Sequence, residues 1–385
     1  MRQVYLDNNA TTPLRREVLD AMMPYLTDEY GNASSIHFKG QAARKAVESS
    51  REIIGGIINT EPVDIVFTSG GTESDNFAIK GAAMANLNKG RHMITTQIEH
   101  PAVLEPCRFI EEELGFEVTY LPVDKYGIVD LNTLKESIRK DTVLISIMFA
   151  NNEVGTIQPV KEIAGIARKN GVYFHTDAVQ ALGKEHIDVE ELGIDMASFS
   201  AHKLNGPKGI GAIYIRKGVK ILPFQNGGHH ERNRRAGTLN VPGIVGFAKA
   251  LEIANHDMPQ KDKYMRKLTK RFLDGLHKKL DEIYLNGHPE KRLSNTLNIS
   301  FRYVEGESMI LNFDLKGICA STGSACTSGS LDPSHVLTAT GVPPDLSQGS
   351  IRFSFGYENR EEDVDYCLAE IPPIVKRLRE MSPLC

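Results

Sequence analysis

Lys203 stands in SFSAHKLNGPKG (198–209), where a strand-like run ends in a turn of glycine and proline. A lysine desolvated at the end of a strand has a lowered pKa, and its amine can then form a Schiff base with a carbonyl. The plainer reading is a surface lysine before a turn. Asp177, in HTDAVQ (175–180), also follows directly on a strand-like run. A buried acid needs a partner, because its desolvation is otherwise costly. That partner is a cation, a helix N-terminus or a protonated nitrogen on a ligand. A third stretch, FTSGGTESDN (67–76), takes a short strand through Thr68, Ser69, Gly70, Gly71 and Thr72 into a helical pattern. Small residues at such a turn let an anion approach backbone N–H groups at the positive end of a helix. The same residues also suit an ordinary N-cap with Glu73 in the first turn. The stretch has neither a Walker ending nor GxGxxG.

A reactive lysine, a carboxylate for a ring nitrogen and a phosphate cradle are each weak signals. Together they describe the needs of pyridoxal 5'-phosphate (PLP). A fourth stretch, STGSACTSGS (321–330), places Cys326 among small and hydroxylic residues. Such composition predicts an exposed loop, where a modest pKa drop makes a thiol substantially thiolate near neutral pH. The alternative is a tolerated loop cysteine. Cys319, in the more apolar GICA, is expected to be a buried structural cysteine.

The elements that would position these groups alternate. DTVLISIMFA (141–150), VYFHTDA (172–178), IDMASFSAHK (194–203) and IGAIYIRKG (210–218) are expected strands, and VKEIAGIARKNG (160–171) is an expected helix ending at glycine. Such alternation predicts a mostly parallel sheet covered on both faces, with ligands at the carboxyl ends of its strands. A polar break is expected at NHDMPQKDKYMRK (255–267), then a helix to about Leu285 and strands at SNTLNISF (294–301) and SIRFSFG (350–356). The expected division is a large α/β domain over 15–255 and a smaller α+β domain formed by 1–14 and 256–385. The cluster HHERNRR (229–235) reads as a solvated loop.

A chain of 385 residues with 41% hydrophobic and 24% charged residues suits a globular protein with more than one core. The net charge of -4 gives no reason to expect nucleic acid or an anionic membrane as partner. No signal peptide and no apolar run of membrane-spanning length is seen, so a soluble, cytoplasmic protein is expected. The five cysteines (Cys107, Cys319, Cys326, Cys367 and Cys385) are odd in number and lack CxxC spacing, which argues against a disulfide framework or a zinc site.

Motifs along nearly the whole chain resemble the cysteine desulfurases of the NifS/IscS type, within the class V aminotransferases. They are YLDNNATTP (5–13), YGNASSIH (30–37), TSGGTESDN, EHPAVL (99–104), NNEVGTIQP (151–159), HTDAVQ, SFSAHKLNGPKG, RRAGTLN (234–240) and GSACTSGSLDPSHVL (323–337). The resemblance implies a fold-type I PLP enzyme, like aspartate aminotransferase, with a mostly parallel seven-stranded sheet plus a smaller α+β domain. It implies that Lys203 holds PLP as an imine, that Asp177 keeps the ring nitrogen protonated and that His100 stacks on the ring. Asn152 and Gln180 would bond the phenolic oxygen. Gly71, Thr72, Ser200 and His202 would bind the phosphate, with Ala201 among the cofactor contacts. Thr238 would reach the phosphate from a neighbouring subunit, which requires a homodimer. Arg352, with Asn152, would bind the substrate carboxylate.

The implied reaction takes L-cysteine to L-alanine. Lys203 acts as base, and the Cys326 thiolate takes the substrate sulfur as a persulfide. The acceptors implied are an iron–sulfur scaffold protein or another sulfur acceptor. No resident metal is implied, although Cys326 would meet a nascent iron–sulfur cluster during transfer. Two departures from the family pattern are Asn205, where Tyr or His is usual, and Ala236, where Ser is common; Ala236 would slightly weaken PLP binding. A loop from Thr327 to about Ser347 would place the chain in the subgroup whose catalytic cysteine rides a mobile loop. An aminotransferase would not need Cys326. A selenocysteine lyase would use nearly the same chemistry. A non-catalytic scaffold of the same fold would not need Lys203, Asp177, His100 or Cys326.

Overall fold

The computed structural model describes residues 2–322 and 333–382. Cys326 and Cys385 lie outside the described residues. A seven-stranded sheet runs in the spatial order Ile65–Thr68, Gly211–Ile215, Met196–Ser200, Tyr173–Asp177, Thr142–Ser146, His92–Thr96, Glu117–Leu121. Only Gly211–Ile215 is antiparallel to its neighbours. The inner strands are buried throughout, as expected where helices cover both faces. Alternation divides their side chains: Ile65 and Phe67 enter one apolar core and Val66 the opposite one.

The expected strands at 141–150, 172–178, 194–203 and 210–218 are present, each trimmed to five residues. The Val160–Lys169 helix closes near Gly171, whose φ of 64° is the left-handed geometry that glycine adopts freely.

The polar stretch 255–267 is not a break. It lies inside one helix, Val241–His277. The first part of that helix buries Ile244, Phe247 and Leu251 in the large core, and the last part buries Met265, Leu268, Phe272 and Leu276 in a second core. The polar middle spans the gap between the cores, so a local loss of apolar residues does not end the helix. The helix stops at His277 rather than continuing to Leu285, because Ile283–Asn286 is a strand.

That strand belongs to an antiparallel four-stranded sheet ordered Ser321–Thr322, Ser350–Ser354, Thr296–Phe301, Ile283–Asn286. Val4–Tyr5 pairs with Ile318–Cys319, which ties the start of the chain to this second unit. Cys319 is exposed, contrary to the sequence expectation: in that short strand Ile318 turns inward and its neighbour outward. The region expected as loop up to Ser347 contains helices at His335–Ala339 and Pro344–Ser347.

The 229–235 cluster is not merely solvated. Glu231 is buried, and both its oxygens bond the buried Arg51 guanidinium at 2.7 and 2.8 Å. The Phe67 N–H also donates to Glu231 at 2.8 Å. Glu231, Arg232 and Asn233 all have positive φ, at 44°, 55° and 64°. Left-handed geometry in three successive non-glycine residues is strained and needs such anchoring.

No described helix is long and apolar enough to cross a membrane.

Candidate active site

Strand ends and turns converge on a cavity of about 320 Å³. Ten of the residues singled out in the sequence line it: Gly71, Thr72, His100, Asn152, Asp177, Gln180, Ser200, His202, Lys203 and Arg352. Two do not. Ala201 is wholly buried in the large core, its N–H given to Ile210 O at 3.2 Å, because the short helical turn 201–203 directs its methyl inward. Thr238 is exposed and does not line this chain's cavity.

The turn after Ile65–Thr68 makes the anion end. Gly70, at φ 155° and ψ -173°, occupies a region essentially reserved for glycine. A Cβ on Gly71 would meet Val179 Cγ2 at 2.7 Å, so only glycine lets the helix N-terminus come this close. The N-terminus of the Gly71–Ala85 helix thus lines the cavity together with Ser200 and His202. Burial, with Lys203, Lys208 and Lys184 nearby, pushes His202 down to about 4, so its ring is neutral.

Asp177 ends the Tyr173–Asp177 strand and accepts the Val179 N–H at 2.9 Å. Burial raises its pKa, while that N–H and Lys203 hold the rise back. The sequence reading missed its neighbour Asp75. This acid is 1% exposed, lines the same cavity and leaves Oδ1 without a hydrogen bond, 3.7 Å from His175 Nε2. Burial and the Asp177 charge raise the Asp75 pKa well above the usual range. Asp75 is the more strongly raised of the two, since Asp177 has the Val179 N–H and Lys203 to stabilise its charge.

Lys203 is half-buried. Its Nζ donates to the Asn9 and Ala10 carbonyls at 2.5 and 2.8 Å. The turn behind it is held by Asn205, at φ 66°, whose N–H donates to Thr12 Oγ1 at 2.8 Å and whose amide donates to Pro13 O at 3.0 Å. Asparagine tolerates this left-handed position better than a bulky residue.

His100 caps the Pro101–Leu114 helix, its Nδ1 accepting the Ala102 N–H at 3.0 Å. Burial, Lys203 and His335 push it down to about 4. With Nδ1 accepting and the ring neutral, the proton sits on Nε2.

Arg352, on the small sheet, is 3% exposed. Nη2 donates to Asp7 at 2.9 Å and Nη1 to the Asn152 carbonyl at 3.1 Å, while Nε has no partner. Its remaining N–H groups suit a carboxylate. Asn9 joins these parts. Its carbonyl also accepts Gln180 Nε2 at 3.0 Å, and its Nδ2 donates to Thr296 at 2.9 Å and to the Asn152 carbonyl at 3.3 Å. Asn9 lies in YLDNNATTP, a motif recognised in the sequence without roles for its individual residues.

The family described as Aminotransferase class-V matches residues 4–367. The cysteine desulfurase IscS of Methanosarcina thermophila is 56% identical over 383 residues, covering 100% of this chain and 94% of that protein. A solved structure described as a NifS-like protein superposes with a TM-score of 0.93 at 42% identity, covering 98% of this chain and 100% of that one. A structure of SspA in complex with cysteine gives a TM-score of 0.80 at 36% identity, over 91% of this chain and 98% of that one.

Proposed function

Since this chain belongs to the class-V aminotransferase family and is a PLP-dependent cysteine desulfurase, we propose that the cavity around Lys203 is its active site and Cys326 its sulfur acceptor. The observation that carries this reading is the meeting of Lys203, Asp177 and the Gly71–Thr72 cradle in one cavity. The donor set fits the cofactor: a backbone cradle for phosphate, an ionisable acid for the ring nitrogen and an amine for the carbonyl.

When bound, PLP supplies an electron sink conjugated to the substrate α-carbon. Gly71, Thr72, Ser200 and neutral His202 would hold the phosphate. Asp177 would keep a proton on the ring nitrogen. Asn152 and Gln180 would address the phenolic oxygen. His100 would pack against the cofactor and present Nε2–H for proton transfer. Arg352 takes the substrate carboxylate on its spare donors. The Lys203 amine would hold the cofactor carbonyl and, when free, would serve as the base for the substrate α-proton.

The Cys326 thiolate then attacks the sulfur of L-cysteine. The C–S bond breaks, an S–S bond forms, and the substrate carbon ends as the methyl of alanine. The sulfur that is transferred is oxidised as the carbon is reduced, so no external oxidant enters. The persulfide passes to an iron–sulfur scaffold or another sulfur acceptor.

Thr238, exposed and outside its own cavity, serves the phosphate of a second copy in a homodimer. The separate apolar cores support a large unit over 15–255 and a small one over 1–14 and 256–385, with the helix Val241–His277 crossing between them. A reactive thiol suits a reducing compartment, which supports a cytoplasmic location.

The test is product formation from L-cysteine with a thiol reductant. Equimolar alanine and sulfide are expected from the wild type. Cys326→Ala is expected to keep the yellow cofactor and lose activity by at least two orders of magnitude, as removal of a covalent nucleophile implies. Full activity in that variant would remove Cys326 from the mechanism.

A further inference from the structure

Lys184 takes no part in the chemistry above, yet it sits beside the cavity. Its Nζ donates to Gln180 Oε1 at 3.0 Å and approaches Asn9 Oδ1 at 3.5 Å. Both are neutral amide oxygens, and no salt bridge to Lys184 occurs among the described residues. The charged groups around it are Lys203, Lys261, Arg352 and Glu185, three cations against one acid. Burial and those cations lower its pKa. An amine is costly to keep there without a carboxylate, so its location calls for a reason. The turn that brings it there needs Gly183, at φ 74°, where a Cβ would meet Ala254 Cβ at 2.9 Å.

Gln180 is buried and lines the cavity. Two contacts independently set which end of its carboxamide is which. The Lys184 amine donates, so the atom it meets is the oxygen. The Asn9 carbonyl accepts, so the atom it meets at 3.0 Å is the NH₂ group. We propose that Lys184 is a positioning residue for the desulfurase reaction: by holding Gln180 Oε1 it fixes the carboxamide so that Nε2 is the donor presented to the cofactor's phenolic oxygen. Without Lys184, only the Asn9 carbonyl still orders the amide, and its oxygen loses the donor that keeps it turned away from the cofactor's oxygen, an approach that is repulsive. This rests on the reading above that Gln180 faces the phenolic oxygen.

A donor on that oxygen draws charge from it and makes the neighbouring proton on the Lys203–cofactor linkage easier to lose. The experiment is a pH titration of the absorbance of the bound cofactor in intact holoenzyme. Wild type is compared with Lys184→Met, Lys184→Arg, Gln180→Ala and the Lys184→Met/Gln180→Ala double variant. Gln180→Ala and Lys184→Met are each expected to raise the apparent pKa of the linkage by about one unit. The double variant is expected to move no further than Gln180→Ala alone, because one acts through the other. Lys184→Arg keeps a donor and should titrate like wild type, a comparison that holds even if Lys184→Met retains cofactor poorly. Additive shifts, a Lys184→Arg profile displaced as far as Lys184→Met, or an unmoved Lys184→Met beside a shifted Gln180→Ala would each overturn the inference. An unmoved Gln180→Ala would overturn the phenolic-oxygen reading itself, and the inference with it.

Discussion

Glu99 adjoins His100 in the chain and has no exposed surface. Its Oε1 accepts the Thr96 hydroxyl at 2.7 Å and the Met148 N–H at 3.0 Å, while Oε2 has no partner. Burial pushes its pKa up to about 8 from an ordinary 4.5. The folded state thus holds a proton that the unfolded chain releases. Its contribution to stability is full below about pH 4.5, falls as pH rises through this window, and is lost above about 8. Glu99→Gln cannot ionise. Its thermal stability relative to wild type is expected to improve steadily from pH 5 to pH 8, by on the order of 4 kcal/mol across the window. Thermal melts of the pair at several pH values read this difference directly. A difference that stays constant with pH would mean Glu99 is ionised in the folded protein.

At the same scale, Lys203 and Asp177 were legible because a charged residue closing an apolar run is a local anomaly. Asn9, Asp75 and Lys184 were not. Asn9 gains its importance from partners in distant parts of the chain, Thr296, Ser354 and Lys203, which no local pattern reveals.

Among the elements, the turn at 231–233 is the one most dependent on a single pair. Arg51 and Glu231 are both almost fully buried, and Arg51 also stacks 4.6 Å from the Phe67 ring centroid. Removing Glu231 leaves the buried Arg51 with only the more exposed Glu48 carboxylate at 3.3 Å, and breaking such a buried pair costs about 3–5 kcal/mol. Glu231→Ala is expected to lose that much in urea unfolding, and also to free the three left-handed residues. Arg51→Met/Glu231→Leu should lose less than the sum of the single changes, because neither charge is left alone. A Glu231→Ala loss under about 1 kcal/mol would show that the pair is not the anchor. Arg235, farther along the same segment, holds Glu73 through two bonds at 2.8 and 3.1 Å. The loop carrying Thr238 is thus fastened both to the strand before the phosphate cradle and to the helix after it. The charge cluster was visible in the sequence, but its inward acid was not, since composition does not distinguish a solvated glutamate from one meeting an arginine 180 positions away. The strands were legible because five-residue apolar runs between helices have few other readings. The helix Val241–His277 was misread because its polar centre looks like a linker until a core is seen on each side.

The whole molecule places the cavity where three parts of the chain meet. Lys203 and Asp177 come from the large sheet, Arg352 from the small one, and Asn9 from the N-terminal segment that runs between them. A cavity assembled this way is lined by residues from Asn9 to Arg352 rather than by one motif. The central claim, that sulfur moves from L-cysteine to Cys326, is tested most directly by one measurement. Holoenzyme given a single equivalent of L-cysteine without reductant is digested, and the Cys326 peptide is weighed. The account predicts one additional sulfur atom on that peptide and one alanine per chain, with neither in Lys203→Ala. Alanine accompanied by free sulfide, with the Cys326 peptide unchanged in mass, would contradict it.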